Sequence, residues 1–243
     1  MRTALCLYGH FRCFDACYPE LYHNLILPNS IQHVFASSWL DSMGHFQHPE
    51  NSDQPLQHVG YDTNSGVPSQ EFLQSVYDRL NPAAVNFDHY SNHDQLFTEL
   101  VERYRAFHHP SPSHRPKGTL SQVWQRSNSL KLCADYETAV GVDFDRIVCT
   151  RWDIAYTQPI LLDTLDPAVI SMDGMYGPAI ISDAWACGPS DAMKQWSKQF
   201  TSIELLAQHN TLNLGPHEWL RAHFLYYQIP WQNRPDVGIW IRR

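Results

Sequence analysis

One segment, residues 136–153, constrains the fold more than any other part of this 243-residue chain. It has the pattern of a helix end, a glycine stop at Gly141, and a short apolar strand at 147–149 that is followed by Arg151 and Asp153. A buried apolar strand that follows a helix is typical of parallel α/β sheets. Ligands bind beyond the carboxyl ends of the strands in such sheets. The segment therefore predicts a guanidinium and a carboxylate at a binding edge.

The spacing of Arg151 and Asp153 indicates what the two side chains can bind. Two residues apart on an extended strand, they are expected on one side of the sheet, with Trp152 on the other. Arginine forks onto phosphate oxygens, and aspartate binds a metal ion, a ribose hydroxyl or a sugar hydroxyl. The pair predicts a site for a phosphate-bearing ligand.

Strand and helix patterns alternate along the chain and predict one α/β domain over residues 1–243. Strands are predicted at 3–8, 32–39, 84–87, 147–149, 169–172 and 179–182, with one or two more within 231–241. Helices are predicted at 15–27, 69–80, 93–107, 119–136, 189–207 and 216–226. Two stretches lack periodicity: a long loop at 40–66, and a Pro- and His-rich segment at 108–118 that predicts a mobile lid or a linker.

The composition argues against several classes of function. With 17 Lys and Arg against 25 Asp and Glu, the formal net charge is -8, which argues against nucleic acid as a partner. No apolar run approaches the ~20 residues of a membrane span. The first residues become polar too soon for a signal peptide. The six cysteines lack CxxC spacing, and we expect a reduced protein of the cytoplasm.

Polar residues follow the first two predicted strands. Gly9, His10 and Arg12 form a turn before a helix, where backbone amides and the arginine favour an anion, although such a turn can also be a plain connection. Asp41 follows the second strand, and it is either a general base or the acceptor of an Asx turn. Asp62, on the same loop, is a second candidate base.

Further candidates lie in the second half of the chain. Asp183 follows the strand predicted at 179–182, a position where carboxylates commonly hold substrate hydroxyls, and Gly188 permits a tight turn into the next helix. Trp185 either stacks on a sugar or base ring or fills the core. Glu218 either binds substrate or complements a helix dipole. The histidines have no metal-binding spacing and are interpreted as ordinary loop residues, at 33, 45, 48, 58, 108, 109 and 114.

Several of these motifs occur together in one family of enzymes. The motifs are Gly-x-x-Arg (Gly9, Arg12), Trp-x-Asp (Trp39, Asp41), a helix opening Ser-Gln (Ser121, Gln122), Arg-x-Asp (Arg151, Asp153), Ser-Asp-x-x-x-x-Gly from Ser182, and Gly-Pro-x-Glu (Gly215, Pro216, Glu218). Over residues 3 to 225, the chain resembles the small single-domain nucleotide-sugar glycosyltransferases of bacteria and large algal viruses. Viral xylosyltransferase-like enzymes belong to this group.

The resemblance implies a fold, an activity and a set of site residues. The fold would be GT-A-like (Rossmann-like), a mostly parallel sheet flanked by helices. The activity would be transfer of a hexosyl or pentosyl group from a nucleotide-diphosphosugar donor to a glycan hydroxyl, in surface-glycan or glycoprotein synthesis. The implied donor-binding residues are Gly9, His10, Arg12, Gln122, Arg151 and Asp153. The implied catalytic residues are Asp41, Asp153 and Asp183, and the implied acceptor contacts are Trp39, Asp62, Trp185 and Glu218.

The metal motif of GT-A enzymes, Asp-x-Asp, is replaced here by Arg151-x-Asp153. A divalent metal (Mn or Mg) is therefore an open question: Asp153 is its candidate ligand, and Arg151 can neutralise the diphosphate in its place. Asp143 and Asp145 do form an Asp-x-Asp, but they precede the strand and are expected at the wrong end of the sheet.

Two other functions also fit the sequence. A metal-dependent phosphoesterase or nucleotide hydrolase would use the His- and Asp-rich loop. A non-catalytic glycan-binding module would use the aromatic side chains as stacking platforms.

Overall fold

A computed structural model describes residues 1–11, 13–41, 67–108, 115–174 and 180–241 of the chain. Arg12 and Asp62 lie outside the described residues, as do most of the predicted loop at 40–66 and residues 109–114 of the predicted mobile segment. The predictions made for these residues stay predictions.

A seven-stranded, mostly parallel sheet forms the centre of the described fold, in the strand order β3-β2-β1-β4-β7-β6-β8. Its strands are β1 Thr3–Tyr8, β2 His33–Trp39, β3 Ala84–Asp88, β4 Arg146–Arg151, β6 Ile170–Asp173, β7 Trp185–Gly188 and β8 Trp231–Arg234. Only β7 runs antiparallel to its neighbours, β4 and β6. A separate two-stranded sheet pairs β5 Ile154–Tyr156 with β9 Ile239–Ile241. These strands confirm the predicted mostly parallel α/β class.

Helices cover both faces of the sheet. Those in the described residues are α1 Phe14–Leu21, α2 Gln70–Leu80, α3 Asp94–Arg103, α4 Pro116–Val140, α5 Ser190–Ser197, α6 Ile203–Gln208 and α7 Pro216–Tyr226. Leu5 and Leu7 of β1 face one core with α1 and α2. Cys6 and Tyr8 face a second core with α4, α5 and α7. β1 is thus buried on both faces, as a central parallel strand requires.

Local sequence signals set the ends of two helices. The Ser69 side chain accepts a hydrogen bond from the backbone N of Phe72 and caps α2, which ends at Asn81 in the left-handed conformation. Gly141, at φ +69°, ends α4 in the same conformation. Both predicted stops are confirmed. No helix in the described ranges has the length and apolarity to cross a bilayer.

The strand predicted at 179–182 is wrong over its described residues, 180–182, and β7 begins at Trp185, six residues after the predicted start. Before β7, backbone carbonyls accept from side chains rather than from a neighbouring strand: Ile181 O from His217, and Asp183 O from the Tyr8 hydroxyl. Gly188 lies inside β7 and not in a turn. A Cβ there would come within 2.8 Å of Ile170 Cγ1, so the glycine permits close contact between β7 and β6.

Candidate functional site

The carboxyl ends of β1 and β4 meet at one edge of the sheet. Tyr8 and Arg151 are register partners at the last positions of these parallel strands. Because β7 is antiparallel to β4, its beginning lies at the same edge, and Thr150 pairs with Trp185. Asp183, two residues before Trp185, reaches this edge from the start of an antiparallel strand. The sequence analysis predicts it at the end of a strand over 179–182.

Arg151 and Asp153 form a two-point ion pair at this edge. Nε of Arg151 donates to Oδ1 of Asp153 at 2.8 Å, and Nη2 donates to Oδ2 at 2.7 Å. Asp153 lies in the turn between β4 and β5 rather than on an extended strand. The two side chains nevertheless meet, as their spacing predicts. Trp152 points the other way, with its ring centroid 4.8 Å from that of Phe11.

The two residues of this pair differ in their exposure to solvent. The Asp153 side chain is 3% exposed and the Arg151 side chain 19% exposed. Burial opposes the charge of the guanidinium, but the adjacent Asp153 carboxylate outweighs it and raises the pKa of Arg151 above its ordinary value. Nη1 of Arg151 makes no side-chain hydrogen bond within the described residues. It is therefore the guanidinium nitrogen that Asp153 does not engage.

A second guanidinium and carboxylate meet beside the first pair. Oδ2 of Asp183 accepts from Nε2 of Gln122 at 2.5 Å and from Nη1 of Arg126 at 3.1 Å. Oδ1 has no donor among the side chains that the structure describes. We call Tyr8, Gln122, Arg126 and Asp183 the Asp183 cluster. It joins two predicted site residues, Gln122 and Asp183, that are 61 positions apart.

Arg126 was missed by the sequence analysis, and it holds the Asp183 cluster together. The residue is fully buried, and Nη2 donates to Oε1 of Gln199 at 2.6 Å. The guanidinium lies over the Tyr8 ring at 5.6 Å and the Trp196 ring at 5.0 Å. One signal could have found it: Gln122 and Arg126 are four apart, on one side of a predicted helix.

The charges around Asp183 keep it ionised. Burial alone raises the pKa of a carboxyl, but Arg126, His217 and Arg151 together outweigh burial and lower the pKa of Asp183 below its ordinary value. Tyr8 is affected in the opposite sense, because burial and the nearby carboxylate raise its pKa well above the ordinary value. The edge therefore presents an ionised carboxylate beside a protonated phenol.

His217 contributes to this edge from the first turn of α7. Its Nδ1 is 2.8 Å from the backbone O of Ile181. A carbonyl oxygen can only accept, so Nδ1 carries a hydrogen and donates it. The helix starts after Gly215 with Pro216 at its first position, as predicted. This start brings the imidazole close enough to lower the pKa of Asp183.

The turn after β1 requires a glycine. Gly9 has φ +97°, a conformation that residues with a Cβ rarely adopt, and an added Cβ would meet no atom within 4 Å. Backbone geometry rather than space therefore selects glycine here. His10 follows at the carboxyl end of β1, partly buried. The turn lies at the predicted edge, next to Tyr8.

Asp41 lies just beyond the end of β2, where its carboxylate caps the turn that follows β3. It accepts from the backbone N of Tyr90, and from the N and Oγ of Ser91 at 3.2 and 2.5 Å. Burial raises the pKa of a carboxyl, but these hydrogen bonds, with Ser91 foremost, lower the pKa of Asp41. These contacts cap a turn that is distant in sequence, whereas the predicted Asx turn would form in the loop after Asp41, outside the described residues. Both interpretations of Asp41 therefore stay predictions.

The two tryptophans predicted to contact an acceptor lie in the core. Trp39 is 1% exposed, and its indole N donates to Oγ of Ser121 at 2.7 Å. Trp185 is 0% exposed, in the core beside α1. Stacking needs an exposed ring face, so of the two interpretations of Trp185 the core one describes its position. The assignment of Trp39 as an acceptor contact stays a prediction.

Glu218 lines a surface groove on α7. The groove has a volume of about 520 Å³ and is lined by Thr211, Asn213, Glu218, Arg221, Ala222, Leu225 and Tyr226. None of the cluster residues belongs to this lining. Glu218 is also in the first turn of α7, so the dipole interpretation fits as well.

The Asp143-x-Asp145 motif lies at the opposite edge of the sheet, as predicted. Asp143 pairs with Lys194 at 2.6 Å, and Asp145 accepts from the backbone N of Arg2 at the start of β1. In the described ranges, no group of three or more His, Cys, Asp or Glu is positioned to hold a metal ion.

Comparison with known proteins adds a structural similarity. No protein-family model and no curated protein sequence matches the chain. Among solved structures, the apo form of mouse xyloside xylosyltransferase 1 matches with a TM-score of 0.44 and 9% identity, over 96% of this chain and 84% of that chain. Both the TM-score and the identity are too low to transfer a fold family or an activity to this chain.

Proposed function

We propose that the protein is a glycosyltransferase that moves a sugar from a nucleotide-diphosphosugar donor to a glycan hydroxyl. One observation carries the proposal: Arg151, Asp153 and Asp183 converge at the carboxyl edge between β1 and β4. This edge is where ligands bind in open α/β sheets. The motif resemblance of the sequence supports the same activity.

The donor diphosphate is assigned to Arg151 and to the turn at Gly9 and His10. A guanidinium offers directed N–H donors to phosphate oxygens, and Nη1 of Arg151 is the donor not engaged by Asp153. Backbone amides at a turn that leads into a helix add a favourable field for an anion. Arg12 belongs to the same predicted turn and is proposed as a further phosphate contact.

Asp183 is assigned to the acceptor side of the reaction. Its Oδ2 is fixed by Gln122 and Arg126, the charges around it lower its pKa, and we assign Oδ1 as the acceptor of a hydrogen bond from a sugar hydroxyl. In an inverting transfer, such a carboxylate takes the proton of the acceptor hydroxyl while that oxygen attacks the anomeric carbon. The bond from the anomeric carbon to the phosphate oxygen breaks, and the nucleoside diphosphate leaves with the electron pair. Its charge is what Arg151 stabilises.

The competing functions gain no support from the described residues. The His- and Asp-rich loop that a phosphoesterase would use lies outside them. The aromatic platforms that a glycan-binding module would use, Trp39 and Trp185, are buried. Neither finding favours a second candidate.

A thermal-shift panel followed by a transfer assay tests the proposal. Nucleoside diphosphates and nucleotide sugars are screened against the purified chain, with nucleosides as controls. A ligand at a hundred times its dissociation constant adds about 2.7 kcal/mol to the free energy of unfolding. We expect at least one nucleoside diphosphate to stabilise the protein. The nucleotide sugar with the same nucleoside diphosphate should then donate its sugar to a saccharide acceptor. Saccharide binding without any nucleoside-diphosphate binding would refute the proposal.

A further inference from the structure

We infer that the Arg151–Asp153 ion pair replaces the divalent metal ion that the GT-A resemblance implies, so that donor binding needs no metal. This inference rests on the proposed function and concerns the same site. Asp153 is then a positioning residue for the guanidinium and not a metal ligand.

The donor set at this edge does not fit a divalent cation. Mg²⁺ and Mn²⁺ need several oxygen ligands with available lone pairs. Both oxygens of Asp153 accept from Arg151, at 2.8 and 2.7 Å. A cation bound to Asp153 would displace the guanidinium and then lie beside a positive charge. The sequence position that supplies the other carboxylate in Asp-x-Asp holds that arginine.

The second carboxylate at the edge is also engaged by a cation. Oδ2 of Asp183 accepts from Gln122 and from the buried Arg126. A metal bound by Asp153 and Asp183 together would have to sit between two guanidinium groups. The charges that lower the pKa of Asp183 are the ones that would repel it.

The ion pair supplies the same total charge as the metal site that it replaces. Two carboxylates and one divalent cation sum to zero, and so do Arg151 and Asp153. In both arrangements, the positive charge is held by a carboxylate and directed outward. The two-point contact fixes the plane of the guanidinium, and 19% of the Arg151 side chain is exposed for a phosphate.

Titration with nucleoside diphosphates in EDTA and in manganese tests this inference. UDP, GDP, CDP, ADP and dTDP are titrated by calorimetry into the wild-type chain under both conditions. We expect the best ligand to bind with an affinity that differs by less than about twofold between them. Binding that improves roughly tenfold or more with manganese and disappears in EDTA would overturn the inference. The proposed function would survive that result, whereas no binding of any diphosphate in either condition would overturn both.

Variants of Arg151 and a direct measurement of Mn²⁺ binding test whether the ion pair replaces the metal ion or binds one in addition. Arg151→Asp restores two carboxylates, and we expect it to lose diphosphate binding in EDTA and to recover part of it with manganese. Arg151→Lys keeps the charge but not the two-point contact. It should bind the diphosphate more weakly than the wild type, and equally in EDTA and in manganese.

Mn²⁺ paramagnetic resonance of the wild type should show no bound ion beyond that held by free nucleotide. Tight Mn²⁺ binding that Asp153→Asn abolishes would contradict the assignment.

Discussion

Two guanidinium–carboxylate pairs lie side by side at the carboxyl edge of the sheet, and they differ in their access to solvent. In the Arg126–Asp183 pair, the side chains are 1% and 6% exposed, and the arginine is packed against Tyr8 and Trp196. In the Arg151–Asp153 pair, the arginine side chain is 19% exposed. In the first pair, a buried guanidinium thus fixes the Asp183 carboxylate, and in the second a partly exposed guanidinium faces solvent. Replacing the two arginines should separate these roles.

Replacing Arg126 should give the largest loss of stability. Arg126→Met leaves the buried Asp183 carboxylate without its cation, and removal of one partner of a buried pair costs about 3–5 kcal/mol. Denaturant unfolding measures the loss. The double variant Arg126→Met with Asp183→Leu is the control, since replacing both partners by apolar side chains should recover most of it. A single variant that loses less than about 1 kcal/mol would show that the first pair does not stabilise the fold.

Replacing Arg151 should affect activity far more than stability. Arg151→Met removes the donor assigned to the leaving diphosphate, and we expect transfer to fall about a hundredfold, which corresponds to ~3 kcal/mol of barrier. The free energy of unfolding should fall by only about 1–2 kcal/mol, because 19% of the Arg151 side chain is exposed and water can take the place of its guanidinium beside the buried carboxylate. Steady-state kinetics and unfolding on the same preparations compare the two effects. Full activity in Arg151→Met would show that the exposed pair does not act in transfer.

As the pH falls, protonation of His223 should destabilise the protein at a higher pH than protonation of Asp183 does. Burial, the foremost cause, lowers the pKa of His223 to about 4. The unfolded chain therefore takes up this proton at a higher pH than the folded one, and stability falls as the pH drops from about 6.5 towards 4, by roughly 3 kcal/mol in total. The lowered pKa of Asp183 places its own loss of stability below the ordinary aspartate range. Unfolding measured against pH should be flatter over that first window in His223→Gln. The same dependence of stability on pH in His223→Gln and in the wild type would show that His223 does not cause this loss.

Replacing Asp41 should have the smallest effect. Asp41→Asn weakens the cap on the turn after β3, and we expect a loss of about 1 kcal/mol in stability with transfer largely kept. Thermal unfolding and the transfer rate check both statements. A hundredfold fall in rate in a folded Asp41→Asn protein would instead assign the role of base to Asp41.

Local patterns predicted much of the fold because their causes are local. The alternation of strand and helix patterns around β1 depends on nearby residues alone. So do the helix ends at Asn81 and Gly141. The meeting of Arg151 and Asp153 follows from their spacing, although the backbone between them forms a turn. These features needed no knowledge of the tertiary structure.

The features that the sequence analysis missed depend on distant partners. β7 is a strand because β4 and β6 lie on either side of it, and its glycine reflects contact with Ile170. Arg126 becomes part of the edge only when α4 packs beside Asp183. The burial of Trp39 and Trp185 is likewise decided by the packing of elements far apart in the chain. Apart from the four-residue spacing of Gln122 and Arg126, the sequence contains no local signal for these contacts.

The most direct test compares the affinity of a nucleoside diphosphate with that of its nucleoside, in the wild type and in Arg151→Met. If the guanidinium at this edge holds the diphosphate, the wild type should prefer the diphosphate strongly. That preference should shrink by about a hundredfold in the variant, a coupling of ~3 kcal/mol between the side chain and the phosphates. The same preference in both proteins would show that the diphosphate, if bound, is held elsewhere.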